Sequence, residues 1–407
     1  MTTGLQRQPL SGIRVIALEQ YVSAPYCTLL LADAGAEVIK IERPQQGDPR
    51  RAIPPFAENN GKKMGAGFMA YNRNKKSVAL DLKNPSGRAV YRDLVATADV
   101  VVENLRPGSV DRIKIGYDDL SPSNPGLIYA VISGFGRMPG REGPYSHLPS
   151  FDIVAEAMGG VMHGVGFADK PPSPTVYGMP DIFSGLAASY GITMALVSRA
   201  TTGRGQFVDS SMYDNMISLN ERMVSLHSIT GKAPERGRPR GLYPRGAFAT
   251  IDGFIAFTVP NEEMWRRVCK VMSRPDLVDD PRTCSGPARI ENRDFLDPIV
   301  ETFFKEITRK DAVSRLNKVG VPAGPVQTAE DLFMCPQLEA RGSLMSVEYP
   351  GLGEFQFART PLQMSESPEI PNRPAPELGE HTQEVLMEVL GYSEDDITRL
   401  SENQIIK

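Results

Sequence analysis

Cysteine and histidine are scarce in this chain. The 407 residues hold four of each, Cys27, Cys269, Cys284 and Cys335, and His147, His163, His227 and His381, all widely scattered. There is no C-x-x-C pair and no two histidines share helical ligand spacing, which argues against a zinc site or a redox dithiol; no metal is expected. Free thiols in a reducing compartment are the default for such a pattern. Long hydrophobic runs are missing as well. Gly or a charged residue breaks each apolar stretch well short of a membrane span, and Met1 to Gln8 lacks the apolar core of a signal peptide, so a cytoplasmic protein without a membrane partner is expected. Neither charge dominates. Lys and Arg number 45 against 49 Asp and Glu, for a net charge of −4, and no basic tail or patch points to nucleic acid. Three nucleotide and hydrolase signatures are also absent. No G-x-x-x-x-G-K-[ST] loop and no G-x-S-x-G elbow occurs. Gly134, Gly136 and Gly140 follow an apolar run at G-x-G-x-x-x-G spacing. The next residues, Arg141-Glu142-Gly143-Pro144, do not open a helix, so a loop is expected there rather than a dinucleotide site.

What remains is an ordinary globular composition, 41% apolar and 23% charged, in a chain long enough for two domains. The first third alternates short apolar runs with helical patterns. Gly12 to Leu18, Ala36 to Glu42, Ser77 to Leu82, Asp99 to Asn104 and Leu127 to Ile132 read as strands. Between them, Pro25 to Ala34 reads as a helix stopped by Gly35, and Asn84-Pro85 opens another. This alternation predicts an α/β fold with a doubly wound parallel sheet, whose ligands sit at the carboxyl ends of the strands. Helical stretches are expected over Asp181 to Arg199 and Asp214 to Ser225, with a strand at Gln206 to Asp209. The Pro-, Gly- and Arg-rich segment Gly231 to Gly246 marks a domain boundary. Beyond it, Asp252-Gly253 between two apolar runs signals a hairpin, and helices follow, so the second domain is expected to be a smaller α+β unit. The expected division is 1–225, 226–325 and 326–407, with the last part returning to the first domain. Ser393 and Asp396 have capping-box spacing.

Asp181 carries the chemical interest. It lies in Tyr177-Gly178-Met179-Pro180-Asp181, ahead of a small and apolar helical stretch. Free N–H groups and the helix dipole stabilise an ionised carboxylate at such a place, which suits a carboxylate nucleophile; an ordinary N-cap is the plain alternative. Arg236, Arg238, Arg240 and Arg245 lie together in the boundary loop, where guanidinium groups could clamp phosphates or carboxylates.

Several motifs occur in order along the chain: Leu10 to Val15, Gly35 to Glu42, Asn74 to Lys83, Ala98 to Gly108, Gly143-Pro144-Tyr145 with Phe151-Asp152, and Gly178 to Asp181 with Gly185-Leu186. Val321 to Val326 and Leu378 to Thr382 complete the set. Taken together they resemble the family III CoA-transferases, the group with the formyl-CoA:oxalate and carnitine CoA-transferases. The resemblance spans nearly the whole chain. It implies a large Rossmann-like domain built from both chain ends, a smaller inserted domain, and an interlocked homodimer, with a heteromer as the other assembly. It also implies acyl-CoA and carboxylic acid substrates, with coenzyme A entering as a thioester and no permanently bound cofactor. By the same resemblance Asp181 is the catalytic carboxylate, forming an aspartyl–acyl anhydride. Val22, Ser23, Ala24, Arg43, Leu80, Lys83, Asn104, Leu105, Arg112 and Phe151 fall at CoA-binding positions; for Phe151 a core aromatic is the plain alternative.

Two departures bear on substrate. Formyl-CoA transferase has a run of glycines over its active site, whereas this chain reads Gly237-Arg238-Pro239-Arg240-Gly241-Leu242-Tyr243-Pro244. Arg238, Arg240 and Tyr243 are therefore expected in a stiffer, more basic substrate loop favouring a dicarboxylate longer than oxalate, with succinyl-CoA as donor. Second, 2-methylacyl-CoA racemases share the fold and use a His–Asp pair, but the histidine's position here is Phe151, which cannot carry a proton. A transferase is expected over a racemase, and the intact Asp181 argues against a CoA-binding subunit without chemistry of its own.

Overall fold

Val, Ile and Leu fill both faces of the N-terminal strands because both faces are covered, as in parallel sheets generally. A computed structural model of the chain describes residues 7–233, 236–237 and 242–407; Arg238 and Arg240 lie outside them. The sheet strands are β1 (Arg14–Leu18), β2 (Glu37–Glu42), β3 (Lys76–Ala79), β4 (Val100–Glu103), β5 (Ile128–Ser133) and β6 (Phe207–Ser211). They form one parallel sheet in the order β3-β2-β1-β4-β5-β6, with Ile16 level with Ile39 on one side and Val101 on the other. This is the doubly wound order, and its strand sequence reverses between β1 and β4.

Six helices matter for the site: α1 (Ser23–Asp33), α2 (Pro85–Ala96), α3 (Asp152–Met158), α4 (Met179–Thr202), α5 (Thr382–Leu390) and α6 (Glu394–Glu402). Period-two alternation sends Val15, Ala17, Val38 and Val102 to one face, where Cys27 and Leu31 of α1 and Ala188, Ile192 and Ala195 of α4 cover them. Ile16, Leu18, Ile39, Ile41 and Val101 face the other way, onto Val90, Leu94 and Val95 of α2 and onto Val385, Leu386 and Leu400 of α5 and α6. Each such side chain contributes about 1.5–3 kcal/mol on burial. The last residues also close on the sheet: Leu80 bridges Ile406, and Asp81 N donates to Ile405 O at 2.8 Å.

α1 and α4 approach closely because position 185 is glycine. A Cβ there would stand 2.5 Å from Ser23 O and 3.2 Å from Cys27 N. α4 is long and apolar enough by length and composition alone to cross a membrane. Its Ala188, Ile192 and Ala195, however, are buried in the sheet core.

Local signals behave as their chemistry demands. Asn84 Oδ1 caps α2 by accepting from Ser86 N, and Ser393 with Asp396 forms the capping box of α6. α1 begins at Ser23 rather than Pro25. Proline is tolerated in the third position because first-turn N–H groups have no partner to lose. The stretch read as one helix over 214–225 is two, Met212–Leu219 and Glu221–Thr230, separated by Asn220, whose side chain turns to Gly159 O.

The chain divides into two compact units. The first comprises Met1–Gly166, Lys170–Pro234 and Gly342–Lys407; the second comprises Phe167–Asp169 and Glu235–Arg341. Both limits fall later than the 226 and 325 read from sequence. At the far end, Asp331 in the helix Ala329–Phe333 pairs with Arg309 of the second unit at 2.8 Å and keeps that segment with it. Within the second unit, β7 (Arg245–Thr250) and β8 (Gly253–Thr258) make the expected hairpin, and β9 (Ala323–Pro325) joins β8.

Candidate active site

At the carboxyl edge of the sheet, where the strand order reverses, lies a cleft of about 1070 Å³. The residues following β1, β2, β3 and β4 line it, together with Phe151-Asp152 at the start of α3 and Asp181 in the first turn of α4. Drug-sized ligands occupy about 300–1,000 Å³, so this cleft suits a longer molecule.

Asp181 is not an N-cap. Gly178 caps α4 with φ 76°, a conformation costly for other residues, and Asp181 is the third helical residue. The Ser23 hydroxyl lies near enough to its carboxylate to favour the ionised form. Burial first, and then the neighbouring Asp152 carboxylate, push the Asp181 carboxyl up to about 7, against the pull of Arg50 and Ser23. A helix start was expected to favour the ionised form; desolvation and a like charge outweigh the dipole here. A pKa near the working pH leaves a substantial carboxylate fraction with raised basicity, which favours attack on a carbonyl. Asp152 is itself held by accepting from Gly178 N at 3.1 Å. The pH profile follows. If ionised Asp181 is the reacting species, kcat/KM for the acyl-CoA rises with pH along a limb near 7 and levels above it. Asp152→Asn removes the like charge and moves that limb about one pH unit lower. A limb that stays put in the variant, measured by initial rates across pH 5 to 9, would contradict this electrostatic coupling.

The loop from Glu19 to Ser23 is held rigidly. Asn104 Oδ1 accepts from Gln20 N at 2.9 Å, and its Nδ2 donates to Gln20 O at 2.8 Å and to Ser23 Oγ at 3.1 Å. Tyr21 has φ 65°, a left-handed backbone rare outside glycine. Its N–H donates to Asp48 Oδ1 at 3.2 Å, while Lys40 Nζ donates to Asp48 Oδ2 at 2.8 Å. Beneath the loop, the fully buried Glu19 accepts from Lys75 Nζ and Thr28 Oγ1, both at 2.7 Å, and from Lys40 Nζ at 3.3 Å. Burial works to raise Glu19, but Lys75 and Lys40 hold it below the ordinary carboxylate range.

Of the residues singled out from sequence, Val22, Ser23, Arg43, Leu80, Lys83, Asn104, Leu105, Phe151 and Asp181 all line this one cleft. Arg43, Lys83 and Arg106 line it and are exposed, giving three cations suited to phosphate groups. Phe151 is 62% exposed and meets Tyr21 edge-on at 6.1 Å, so it is no core aromatic. Ala24 and Arg112 do not line the cleft. Ala24 turns its methyl into the core of the α1 and α4 face, and Arg112 is exposed and bonded to Ser109 Oγ. Tyr243 does not line the cleft either. It is 2% exposed in the core of the second unit, with Arg293 over its ring at 4.6 Å, because an aromatic side chain next to β7 gains more from burial than from solvent. Arg50, Asp152, Tyr177, Glu19 and Asp48 were not picked out as site residues from sequence. Only Asp48-Pro49 carried a local signal, an Asp before Pro at a helix start; Asp48 Oδ1 accepts from Arg50 N at 2.9 Å. Among the described residues, no group of three or more His, Cys, Asp or Glu is placed to hold a metal ion.

Residues 10–382 match the profile of CoA-transferase family III. The chain belongs to this family. It is an enzyme of the CoA-transferase class, acting on acyl-CoA thioesters and carboxylic acids. A succinyl-CoA:mesaconate CoA-transferase of Haloarcula hispanica is 38% identical over 93% of this chain and 96% of its own length. A succinyl-CoA–D-citramalate CoA-transferase of Chloroflexus aurantiacus is 33% identical over 98% of each chain. A crystal structure of a CAIB/BAIF family protein from Brucella suis superposes with a TM-score of 0.85 at 34% identity, over 94% of this chain and all of that one.

Proposed function

We propose that this CoA-transferase moves CoA from succinyl-CoA to a dicarboxylic acid through covalent intermediates on Asp181. The observation that carries the reading is the Asp181 carboxylate, beside Ser23 in a cleft of about 1070 Å³ that Arg43, Lys83 and Arg106 also line. The dicarboxylate class is supported by relatives whose names pair succinyl-CoA with mesaconate and with D-citramalate.

In the proposed route an Asp181 oxygen attacks the thioester carbonyl. The C–S bond breaks, CoA leaves as thiolate, and an aspartyl–succinyl anhydride remains. The thiolate attacks the Asp181 carboxyl carbon and expels succinate, leaving an aspartyl–CoA thioester. An acceptor carboxylate displaces the thiolate to give a second anhydride, and the thiolate then takes the acceptor's acyl group and restores Asp181. Each anhydride is prone to hydrolysis, so the rigid loop from Glu19 to Ser23 serves by limiting water at the reacting carbon. Proton abstraction of the racemase kind lacks its base, since no histidine lines the cleft among the described residues.

An assembly of two interlocked copies goes with this reading. Leu186, Tyr190, Met194 and Val197 form a stripe along α4 that is 40–68% exposed in the single chain, an apolar surface suited to a partner copy. The test of substrate is direct. Succinyl-CoA is offered with a panel of mono- and dicarboxylic acids, and new thioesters are read by mass spectrometry. Transfer to a four- or five-carbon dicarboxylate is expected; transfer confined to monocarboxylates would refute the class.

A further inference from the structure

Arg50 and Arg51 are neighbours with opposite surroundings. The Arg51 guanidinium is satisfied: Nε and Nη2 reach Glu42 at 2.9 and 2.8 Å, and Nη1 donates to Pro376 O at 3.0 Å. Arg50 lines the cleft and has no acidic partner within 4.0 Å among the described residues. Its Nε is buried without a hydrogen bond, and its one side-chain bond is a long one, Nη1 to Tyr177 Oη at 3.4 Å. The guanidinium sits 5.7 Å from the Tyr177 ring centre. It is close enough to act electrostatically on both Asp181 and Tyr71.

The seat of Arg50 is built on both sides. Its backbone N–H is held by Asp48, the residue that also fixes Tyr21. The Nε–Nη2 edge of its guanidinium packs against Gly67, where a Cβ would stand 2.2 Å from Nε and 2.6 Å from Nη2. A guanidinium without an acidic partner beside a reacting carboxylate is suited to receive an anion through its terminal nitrogens. The substrates implied by the proposed function carry two carboxylates. One must meet Asp181, and the other has to be placed without a second negative group near it.

We propose that Arg50, with the Tyr177 hydroxyl, binds the remote carboxylate of the dicarboxylic acid and thereby sets the preference for dicarboxylates over monocarboxylates. The inference rests on the dicarboxylate reading and adds the residue that enforces it. Arg50 serves the donor acyl group and the acceptor alike, because both occupy the same place beside Asp181 in successive half-reactions.

The experiment compares acceptors of equal chain length, glutarate against pentanoate, with succinyl-CoA as donor, and reads the ratio of kcat/KM for the two acids. Arg50→Met is expected to lower that ratio about 100-fold, as loss of a charge-assisted fork implies. Gly67→Ala keeps Arg50 but displaces its guanidinium, and is expected to lower the ratio about 10-fold. It should fold normally, since alanine favours the helix and the atoms it meets are the end of a flexible side chain. A ratio within threefold of wild type in both variants overturns the proposal, as does an equal fall for both acids. Transfer surviving in Asp181→Ala would sink the nucleophile instead and leave the Arg50 ratio standing, so the two failures are separable.

Discussion

Asp181→Ala is expected to fold and to transfer CoA at least about 10⁴-fold more slowly than the wild type, as removal of a covalent nucleophile does elsewhere. The geometry gives the reaction no substitute. The other carboxylates lining the cleft are already engaged: Asp152 accepts from Gly178 N, Asp48 from Lys40, Glu19 from Lys75, Glu42 from Arg51 and Asp81 from Lys83 N. Ser23 is a hydroxyl without an adjacent base other than Asp181 itself. Folding is expected to be unimpaired, because Asp181 is held partly desolvated beside a like charge, an arrangement that costs stability in favour of function. Asp181→Asn keeps the shape and loses the nucleophile, and it should be more stable than wild type above pH 7 by about 1–2 kcal/mol. The sign follows from the raised pKa. Unfolded, the Asp181 carboxyl ionises near the ordinary carboxylate value of about 4 and folded only near 7, so the cost to the wild type grows as pH rises from about 4 and is complete above about 7. Activity is measured by formation of the new thioester. Hydroxylamine quenching of a wild-type turnover should label the Asp181 peptide as a hydroxamate. More than a tenth of wild-type transfer in Asp181→Ala, or a label on another peptide, would remove Asp181 from the chemistry.

The largest expected loss of stability comes from Glu19. Its side chain is completely buried between two equally buried ammonium groups, Lys40 and Lys75. Glu19→Met leaves Lys75 with only neutral partners, Pro25 O and Asn72 Oδ1, and Lys40 with Asp48 and the backbone carbonyl of residue 19. An unpaired buried charge costs about 3–5 kcal/mol, and Lys75 escapes part of it because burial already pushes its pKa down to about 8. The fall in stability, read from urea unfolding followed by circular dichroism, is expected at about 3 kcal/mol. Adding Lys75→Met removes the orphaned cation and should restore much of the loss, since apolar isosteres often replace a buried pair without penalty. Stability within about 1 kcal/mol of wild type for Glu19→Met alone would mean that the cluster is not the support described. The same change reaches the site, because Glu19 anchors the loop that presents Ser23 to Asp181.

The alternation of apolar runs and helix signals was sufficient to read the parallel sheet. Strands covered on both faces must be almost wholly aliphatic, and Val100 to Val102 and Ile128 to Ile132 show it. Asn84-Pro85, Asp252-Gly253 and Ser393 with Asp396 act over a few residues, so their caps and turns were legible without the fold. The ordered motifs pointed to the family, and to Asp181, because each reports a local backbone need or a reactive group. Tertiary structure alone decided the rest. Tyr243 lies one residue from Leu242 in a loop-like string, yet packing takes it into the second unit's core. Arg50 and Arg51 are adjacent and chemically identical, and only Glu42 and Gly67 make one a structural tie and leave the other facing the cleft without an acidic partner among the described residues. The pKa of Asp181 followed the same rule. Sequence placed it in a helix's first turn, where the dipole favours the anion. Desolvation and Asp152, brought near by the α3 and α4 starts, set it near 7, because through-space electrostatics depends on which surfaces meet and not on which residues are neighbours in the chain.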